Sequence, residues 1–592
     1  MTRARLTANA NRVLEARYLR RDRKRHLVES PDELFERVAR AVAEAELRLH
    51  NAREAARWER EFHDLIASLD FLPNSPTLMN AGTPLGQLSA CFVLPVEDSM
   101  ESIFASVRDA ALLQRTGGGT GFAFSHLRPK GDFVASTGGE ASGPVSFMRV
   151  FDAVTEHIKL GGRRRGANMG VLRADHPDIL EFIHAKLDGG ITNFNLSVAC
   201  TDAFISAVRD DDVQPLVHPR SHLHAGDLRA QDVFAAIVDA AWRTGDPGLL
   251  FLEAIERNNP VPDLGRIEAT NPCGEVPLMP YEACNLGSIN LAHMLKEARG
   301  KAEIDWEKLG ATARRAVRFL DDVIEVNRFQ LPAIDDMARR TRKIGLGVMG
   351  FAEMLIRLGV SYDSDEACAL AERIAHAIDE ASLQASQALA EERGVFPSWD
   401  LSTHKERGVK VRHASRTAIA PTGTLSILAG TTPSIEPLFA LAYRRTNILG
   451  GQTLYEESPL FASHLERHGL DKDRIVAEVA KKGGLRDVEG VPEELRRLFV
   501  TALEIPAERH LEIQAAFQRH VDNSVSKTIN LPEDATREDV STAYLRAWEF
   551  GLKGITIYRY GSRGAQVMEL GAEEEPAFRD HSSRCDLQTC RL

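Results

Sequence analysis

The stretch ATNPCGEVPLMPYEACNLGSINL, residues 269–291, carries two of the chain's seven cysteines, Cys273 and Cys284. Cys273 is framed by Asn271 and Glu275. In an extended segment, alternation sends all three side chains to one face. A thiol would then stand between a carboxylate able to take a proton and an amide able to orient a hydroxyl. Nucleophilic cysteine catalysis wants a histidine base close by, and this stretch offers none. A sulfur radical needs no such base. It needs burial, a carbon-bound hydrogen to abstract, and a proton acceptor for the neighbouring hydroxyl. Zinc binding is the alternative, but ten residues separate Cys273 from Cys284 and no histidine accompanies them, unlike short zinc-knuckle spacing.

The other cysteines differ in setting. Cys200 (NLSVACTDAF) and Cys368 (SDEACALAERI) sit in apolar patterns and read as small core residues. Cys91 (LSACFVLPVEDSM) precedes an apolar, strand-like run. Cys585 and Cys590 fall in AEEEPAFRDHSSRCDLQTCRL, a charged stretch poor in large apolar residues that reads as a mobile tail. Two thiols so placed suit a reversible disulfide.

These residues need elements to hold them. Near the start, SPDELFERVARAVAEAE has the signs of a helix: Ser30 as cap, Pro31 in the first turn and Glu33 completing a capping box. From about Phe71, short apolar runs alternate with Gly-rich turns and helical patterns such as Ala311–Asn327, the one-dimensional look of an α/β fold. The stretch PTGTLS, residues 421–426, could cradle a phosphate on backbone N–H groups if a helix begins at Leu425. It lacks the lysine of a P-loop. GGGTG, residues 117–121, departs from dinucleotide-binding spacing, so no NAD site is assigned.

Composition is that of a globular protein, 43% hydrophobic and 27% charged over 592 residues. The net charge of −12 argues against direct nucleic-acid binding. The basic run Arg20–Arg25 reads as a solvated helix face. MTRARLTANANRV has no signal-peptide core, and no apolar run approaches the ~20 residues of a membrane helix. A cytoplasmic protein without membrane association is expected. There stable disulfides are unusual, so clustered cysteines point to metal or redox chemistry.

A set of ordered motifs then carries a family resemblance: ARYLRRD, FLPNSPTLMNAG, SACFVLPVEDSM, GGGTGFAFSHLRPKGD, GGRRRGANMG, NPCGE, APTGTLSILAGTTPSIEPLF, HLEIQAAFQRHVDNSVSKTINLP and GLKGITIYRYGSR. In this order, over nearly the whole chain, they resemble the ribonucleotide reductases, specifically the adenosylcobalamin-dependent (class II) enzymes of the dimeric type. The resemblance implies a ten-stranded α/β barrel. The expected layout is an N-terminal helical region over 1–70, the barrel with an effector-binding segment over 71–565, and a tail over 566–592. It implies that Cys273 becomes a thiyl radical that abstracts the ribose 3′-hydrogen, that Glu275 takes the 3′-hydroxyl proton, and that Asn271 orients the ribose hydroxyls. Cys91 and Cys284 match the redox pair that reduces the 2′ position, and Cys585 and Cys590 match a shuttle re-reducing that pair. Thr422, Gly423, Thr424 and Ser426 match a substrate diphosphate site, and Ser75 a further substrate contact. Asp98 and Arg128 match an effector site, with Arg164 in the loop that links effector to substrate.

Class follows from further residues. Class I enzymes take their radical from a metal-bearing partner through two adjacent tyrosines. Here Tyr558 and Tyr560 are separated by Arg559. No class III glycyl-radical motif is found. That leaves adenosylcobalamin, with cobalt only inside the cofactor and no other metal, although Tyr560 stands where the resemblance leads one to expect Asp. The expected partners are ribonucleoside diphosphates, dNTP effectors, a thioredoxin- or glutaredoxin-like reductant and a second copy of the chain. The competing readings are a class I-type catalytic subunit and a non-catalytic nucleotide-binding protein.

Overall fold

The computed structural model describes residues 3–135, 138–160, 164–187, 189–298, 300–445, 454–562 and 568–569. Cys585 and Cys590 lie outside these residues. A ten-stranded sheet organises the chain. Its strands are β1 (Phe71–Pro73), β2 (Cys91–Leu94), β3 (Gly119–Ala123), β4 (Asn168–Arg173), β5 (Phe194–Cys200), β6 (Gly248–Phe251), β7 (Ala283–Asn290), β8 (Ile344–Met349), β9 (Thr528–Leu531) and β10 (Gly554–Arg559).

Strands β2 to β6 are neighbours in sequence order and parallel throughout. β10 pairs antiparallel with β6 and parallel with β9. At the other end β7 pairs antiparallel with β2 and parallel with β8. The circle is closed by residues 417–419. Thr417 bridges to Leu346 of β8, and Ile419 bridges to Val525 just before β9. The ten-stranded α/β barrel expected from the sequence is therefore present, with this short segment completing its wall and β1 pairing outside the circle on β7.

Strand alternation decides what faces inward. On β2, Cys91 and Val93 join an inner cluster with Met169, Val171, Leu250, Cys284 and Leu286. Phe92 and Leu94 point the other way, into an outer cluster with Phe122, Leu196, Phe251 and Ile557. Helices in the parallel crossovers cover that outer layer, including Met100–Gln114, Pro144–His157 and Ala230–Thr244. Cys200 lies in the outer cluster, fully buried, as a core residue should. Cys368 departs from its core reading. It is only partly buried on helix Asp365–Arg393, where Arg509 Nη1 lies 3.7 Å from its sulfur.

The N-terminal helical region packs on β1 and on helix Trp306–Val326. Helix Pro31–Leu49 begins with the expected capping box between Ser30 and Glu33. Phe62 of helix Ala52–Ala67 meets Phe319 edge-on at 5.1 Å, and Phe319 meets Phe71 of β1 at 5.5 Å. Such aromatic pairs add roughly 0.5–1.5 kcal/mol each beyond area burial. The basic run Arg20–Arg25 is exposed but not helical. The Asp22 side chain accepts from the backbone N–H groups of Lys24 and His26, and this local turn replaces helical bonds.

Candidate active site

Two short strands, Ala269–Thr270 and Pro277–Leu278, pair antiparallel and carry Cys273 on the turn between them. The turn is tight. Gly274 sits at φ +81°, its N–H donates to the Asn271 carbonyl at 3.1 Å, and the Asn271 side-chain oxygen accepts from Val276 N at 3.1 Å. The extended alternation expected for Asn271, Cys273 and Glu275 is thus replaced by a turn, because Gly274 reverses the chain. Asn271 and Glu275 are each 2% exposed, whereas Cys273 is exposed at the tip.

The hairpin passes so close to β3 that side chains there would block it. A Cβ on Gly119 would fall 2.9 Å from the Pro272 ring, and one on Gly121 would collide with the Thr270 carbonyl oxygen. This gives GGGTG its physical reason: the glycines let a second backbone lie against the strand. Asn195 of β5 holds the opposite side, its Nδ2 donating to the Pro272 carbonyl at 2.7 Å. Ser524 N anchors the Glu275 carbonyl at 2.9 Å.

Cys91 receives two of the hairpin's side chains. Asn271 Nδ2 lies 3.2 Å from its sulfur, and that sulfur lies 3.9 Å from Glu275 Oε1. Cys284 is the residue opposite Cys91 in the β2–β7 register. Burial pushes the Cys284 thiol far above its usual range, and the nearby carboxylates of Glu275 and Glu282 add to this against the pull of Lys343. Lys343 and Glu282 form a buried ion pair at 2.6 Å. Among the described residues no disulfide joins Cys91, Cys273 or Cys284.

Cys273 belongs to the walls of two cavities. One, of about 510 Å³, is lined by Cys91, Asn271, Cys273 and Glu275 at one end and by Ser75, Thr422, Gly423 and Thr424 at another. The second, of about 390 Å³, lies on the other side of the hairpin tip, with Asn195, Ser197, Ser526, Thr528, Asn530 and Thr556 among its polar residues. Tyr558 lines this second cavity and Tyr560 lines neither.

At the candidate phosphate end, a helix begins at Gly423, two residues earlier than expected, and runs to Ala429. Thr422 takes φ +51° and its hydroxyl accepts from Ser434 N at 2.7 Å, which fixes the turn. Ser426 is set apart from the other candidates. It is buried behind the cavity wall, and its hydroxyl donates to the Gly423 carbonyl at 3.3 Å. Three lining residues were missed in the sequence. Arg17 Nη1 donates to Thr424 Oγ1 at 3.1 Å, Tyr18 shares a 2.7 Å hydrogen bond with Ser75, and buried Asn74 keeps its Nδ2 without a partner. The motif ARYLRRD contained the first two, but its spacing carried no sign of a cavity over 400 residues away in sequence.

Asp98 and Arg128 meet as well. Arg128 Nε lies 3.0 and 2.9 Å from the two Asp98 carboxylate oxygens, and this pairing raises the guanidinium pKa. Arg164 begins a two-residue strand, Arg164–Arg165, paired with Lys159–Leu160. Its side chain is outside the described part of the structure.

Comparison with known proteins follows this geometry. A model described as the ribonucleotide reductase all-alpha domain matches residues 4–86, and one described as the ribonucleotide reductase barrel domain matches residues 89–412 and 404–558. The chain belongs to the ribonucleotide reductase family. A reductase of Mycobacterium tuberculosis H37Rv, named vitamin B12-dependent ribonucleoside-diphosphate reductase, is 51% identical over 99% of this chain and 83% of its own length. A Thermoplasma acidophilum reductase of the same name is 47% identical over 96% of this chain and 81% of its own. The solved class Id ribonucleotide reductase alpha subunit of Actinobacillus ureae shares the fold, with a TM-score of 0.77 and 24% identity over 94% of this chain and 97% of that one. Among the described residues no helix is long and apolar enough to cross a membrane.

Proposed function

We propose that this chain reduces ribonucleoside diphosphates to 2′-deoxyribonucleoside diphosphates, with adenosylcobalamin as the source of the radical. The observation that carries the reading is the place of Cys273, on a hairpin tip shared by two cavities. One cavity offers thiols and a carboxylate, the other offers amides and hydroxyls beside the charged residues Asp246 and Lys527. The relatives named vitamin B12-dependent reductases support the cofactor.

The second cavity fits the nucleoside arm of that cofactor. Its size is in the range of small-molecule pockets, and Asn195, Ser197, Thr528, Asn530 and Thr556 would hold the ribose and base in the cavity that Cys273 also lines. When bound, the cofactor supplies a radical able to remove the hydrogen atom of the Cys273 thiol.

The residues of the first cavity then do the rest. Cys273 takes the 3′-hydrogen of the ribose, and Glu275 accepts the 3′-hydroxyl proton. Cys91 protonates the 2′-hydroxyl, which leaves as water. Cys91 and Cys284 give up two electrons and two protons in all and become a disulfide. The second thiol proton and the two electrons end in the new C2′–H bond, Glu275 returns its proton to the 3′-oxygen, and Cys273 returns the hydrogen to C3′. The balance is one C–O bond and two S–H bonds lost, and one C–H bond, one S–S bond and one water gained. Asn271, which donates to Cys91, holds that sulfur toward the 2′ position. Thr422, Gly423, Thr424 and Ser75 contact the phosphates and ribose.

The division of the chain at residues 70 and 565 belongs to this reading, as do a homodimer, a dNTP effector near Asp98, Arg128 and Arg164, and reduction of the Cys91–Cys284 disulfide through Cys585 and Cys590 by a thioredoxin-like protein. The deciding experiment is CDP reduction by the purified chain with adenosylcobalamin and dithiothreitol alone. Deoxycytidine diphosphate should form. Activity that instead requires a second, metal-bearing protein would replace this reading with that of a class I-type subunit.

A further inference from the structure

The start of the chain brings a cation into the substrate cavity. Helix Ala8–Val13 is capped by Thr7, and its last residue joins Leu14, Leu425 and Leu428 in one buried cluster, so the segment is packed onto helix Gly423–Ala429. The chain then widens into a single π-turn, Leu14–Tyr18, closed by Leu19 N donating to the Leu14 carbonyl at 2.9 Å. Such turns shift the side chains that follow around the helix axis and recur at functional sites. Here both Arg17 and Tyr18 reach the cavity wall. Tyr18 is 2% exposed and tied to Ser75, which fixes the segment, and Arg17 is held against Thr424.

Charge gives this placement its meaning. Among the described residues lining the cavity, Arg17 is the only cation and Glu275 the only anion. The two groups sit with different neighbours: Glu275 by the Cys91 thiol, Arg17 by the hydroxyl of Thr424 at the start of helix Gly423–Ala429. Neutral hydroxyls and amides solvate the several negative charges of a diphosphate poorly in a walled cavity. A guanidinium matches phosphate oxygens in charge and in fork geometry. With the ribose at the thiols and the phosphates at Thr422–Thr424, the phosphate farther from the ribose is the one left to meet Arg17.

We propose that Arg17 binds the terminal phosphate of the substrate and sets the preference for diphosphate over monophosphate, an inference that rests on the reductase reading above. Hydrogen bonds to charged groups of this kind change affinity on the order of 10- to 100-fold. The test uses the full-length protein with adenosylcobalamin, a dithiol and a fixed saturating dNTP effector. The KM and kcat for CDP and the competitive Ki values for dCDP and dCMP are measured in wild type, Arg17→Gln and Arg17→Lys. Arg17→Gln should raise the KM for CDP and the Ki for dCDP on the order of 10-fold or more, leave kcat and the Ki for dCMP little changed, and be partly rescued by Arg17→Lys. That split is what loss of uniform binding at one phosphate produces. Equal weakening of dCDP and dCMP, or unchanged binding of dCDP in a variant of wild-type melting temperature, would overturn the assignment. If Arg17→Gln melts early, the Arg17→Lys ratio of dCDP to dCMP affinity decides, since loss of fold moves both ligands together. Failure of wild type to reduce CDP would sink the reductase reading; a normal wild type with an indifferent Arg17→Gln sinks only this inference.

Discussion

Cys91 and Cys284 stand directly opposite each other on antiparallel neighbours β2 and β7, yet of the two only Cys91 lines the cavity proposed to take the substrate. Residues opposed in this way have Cα atoms roughly 4.5–5.5 Å apart, within the span of a disulfide. On the proposed reading, the arrangement puts one thiol at the substrate and its electron partner one strand behind. It also separates the roles of the two sulfurs more clearly than the spacing of Cys273 and Cys284 along the chain.

Substitution of either member should therefore stop turnover without emptying the site. Cys284→Ser leaves Cys91 in place to donate a proton but removes the sulfur that completes the disulfide. Both Cys91→Ser and Cys284→Ser should bind CDP close to wild type, measured by equilibrium dialysis, and lose multiple-turnover reduction. Peptide mass mapping of wild type after a turnover without reductant should find a Cys91–Cys284 bridge. A bridge that instead joins Cys273 to Cys284 would contradict the pairing.

Glu275→Gln tests the proton acceptor. The carboxylate is 2% exposed and its backbone is pinned by Ser524, so the amide should sit in the same place. It cannot take the 3′-hydroxyl proton. Loss of a general base costs roughly 10²–10⁴-fold. The kcat for CDP should fall by about that factor with little change in melting temperature. A variant within about threefold of wild type would remove Glu275 from the base role, since that is far below the general-base effect.

Thiol labelling gives a test with a pH sign. Burial holds the Cys284 thiol protonated well above the pH at which free thiols ionise. Thiolate is the reactive form toward alkylating agents. Exposed Cys273 is open to the reagent and should label at both about pH 7 and about pH 9, a range that spans the usual thiol pKa of about 8.5. Cys284 should stay unlabelled throughout in the folded protein. Iodoacetamide with peptide mapping at both pH values reads this out, and labelling of Cys284 that keeps pace with Cys273 would contradict its burial.

How much of this was legible in sequence depends on the range of the interactions. The capping box at Ser30 and Glu33, the change to an α/β pattern from about Phe71 and the strand-like run at Cys91 are local, so pattern reading reached them. Asn271, Cys273 and Glu275 do line one cavity, but through a turn and not through the extended segment that the alternation argument assumed. Gly274 turns the chain, and Asn271 and Glu275 meet Cys91 from within a hairpin. The helix after Thr422 was anticipated two residues late because Thr422 itself adopts the left-handed conformation, which no threonine pattern announces. Arg17, Tyr18 and Asn74 could not be read at all. Their relevance comes from packing of the first helix on a helix near residue 425, a purely tertiary event.

Gly121→Ala tests the close passage of the hairpin. The added methyl would collide with the Thr270 carbonyl oxygen, backbone against which a side chain cannot simply rotate away. β3 and the hairpin must separate, which moves Cys273 relative to both cavities. Overpacking of this kind costs typically ~1–3 kcal/mol, and a misplacement of about 1 Å at reacting groups can cost about 10²-fold in rate. The variant should fold with a lowered melting temperature and lose most CDP reduction. Unchanged activity would mean that the hairpin is not held at this distance during turnover.

The last prediction concerns Cys585 and Cys590, beyond the described residues. Cys91 and Cys284 are 3% and 1% exposed, so a disulfide between them is closed to a protein-sized reductant. A dithiol borne by the chain itself can reach where a separate protein cannot, because tethering raises its local concentration. It would attack the buried disulfide through a mixed disulfide and carry the oxidation outward. The Cys585→Ser/Cys590→Ser double variant, reduced beforehand, should make about one deoxynucleotide per active site, as one Cys91–Cys284 pair holds two electrons. With thioredoxin as the only reductant it should then stop. A small dithiol that can diffuse into the cavity should restore turnover at least in part, which separates loss of the shuttle from damage to the site. Steady turnover by the double variant with thioredoxin alone would mean that the buried disulfide is reached by another route.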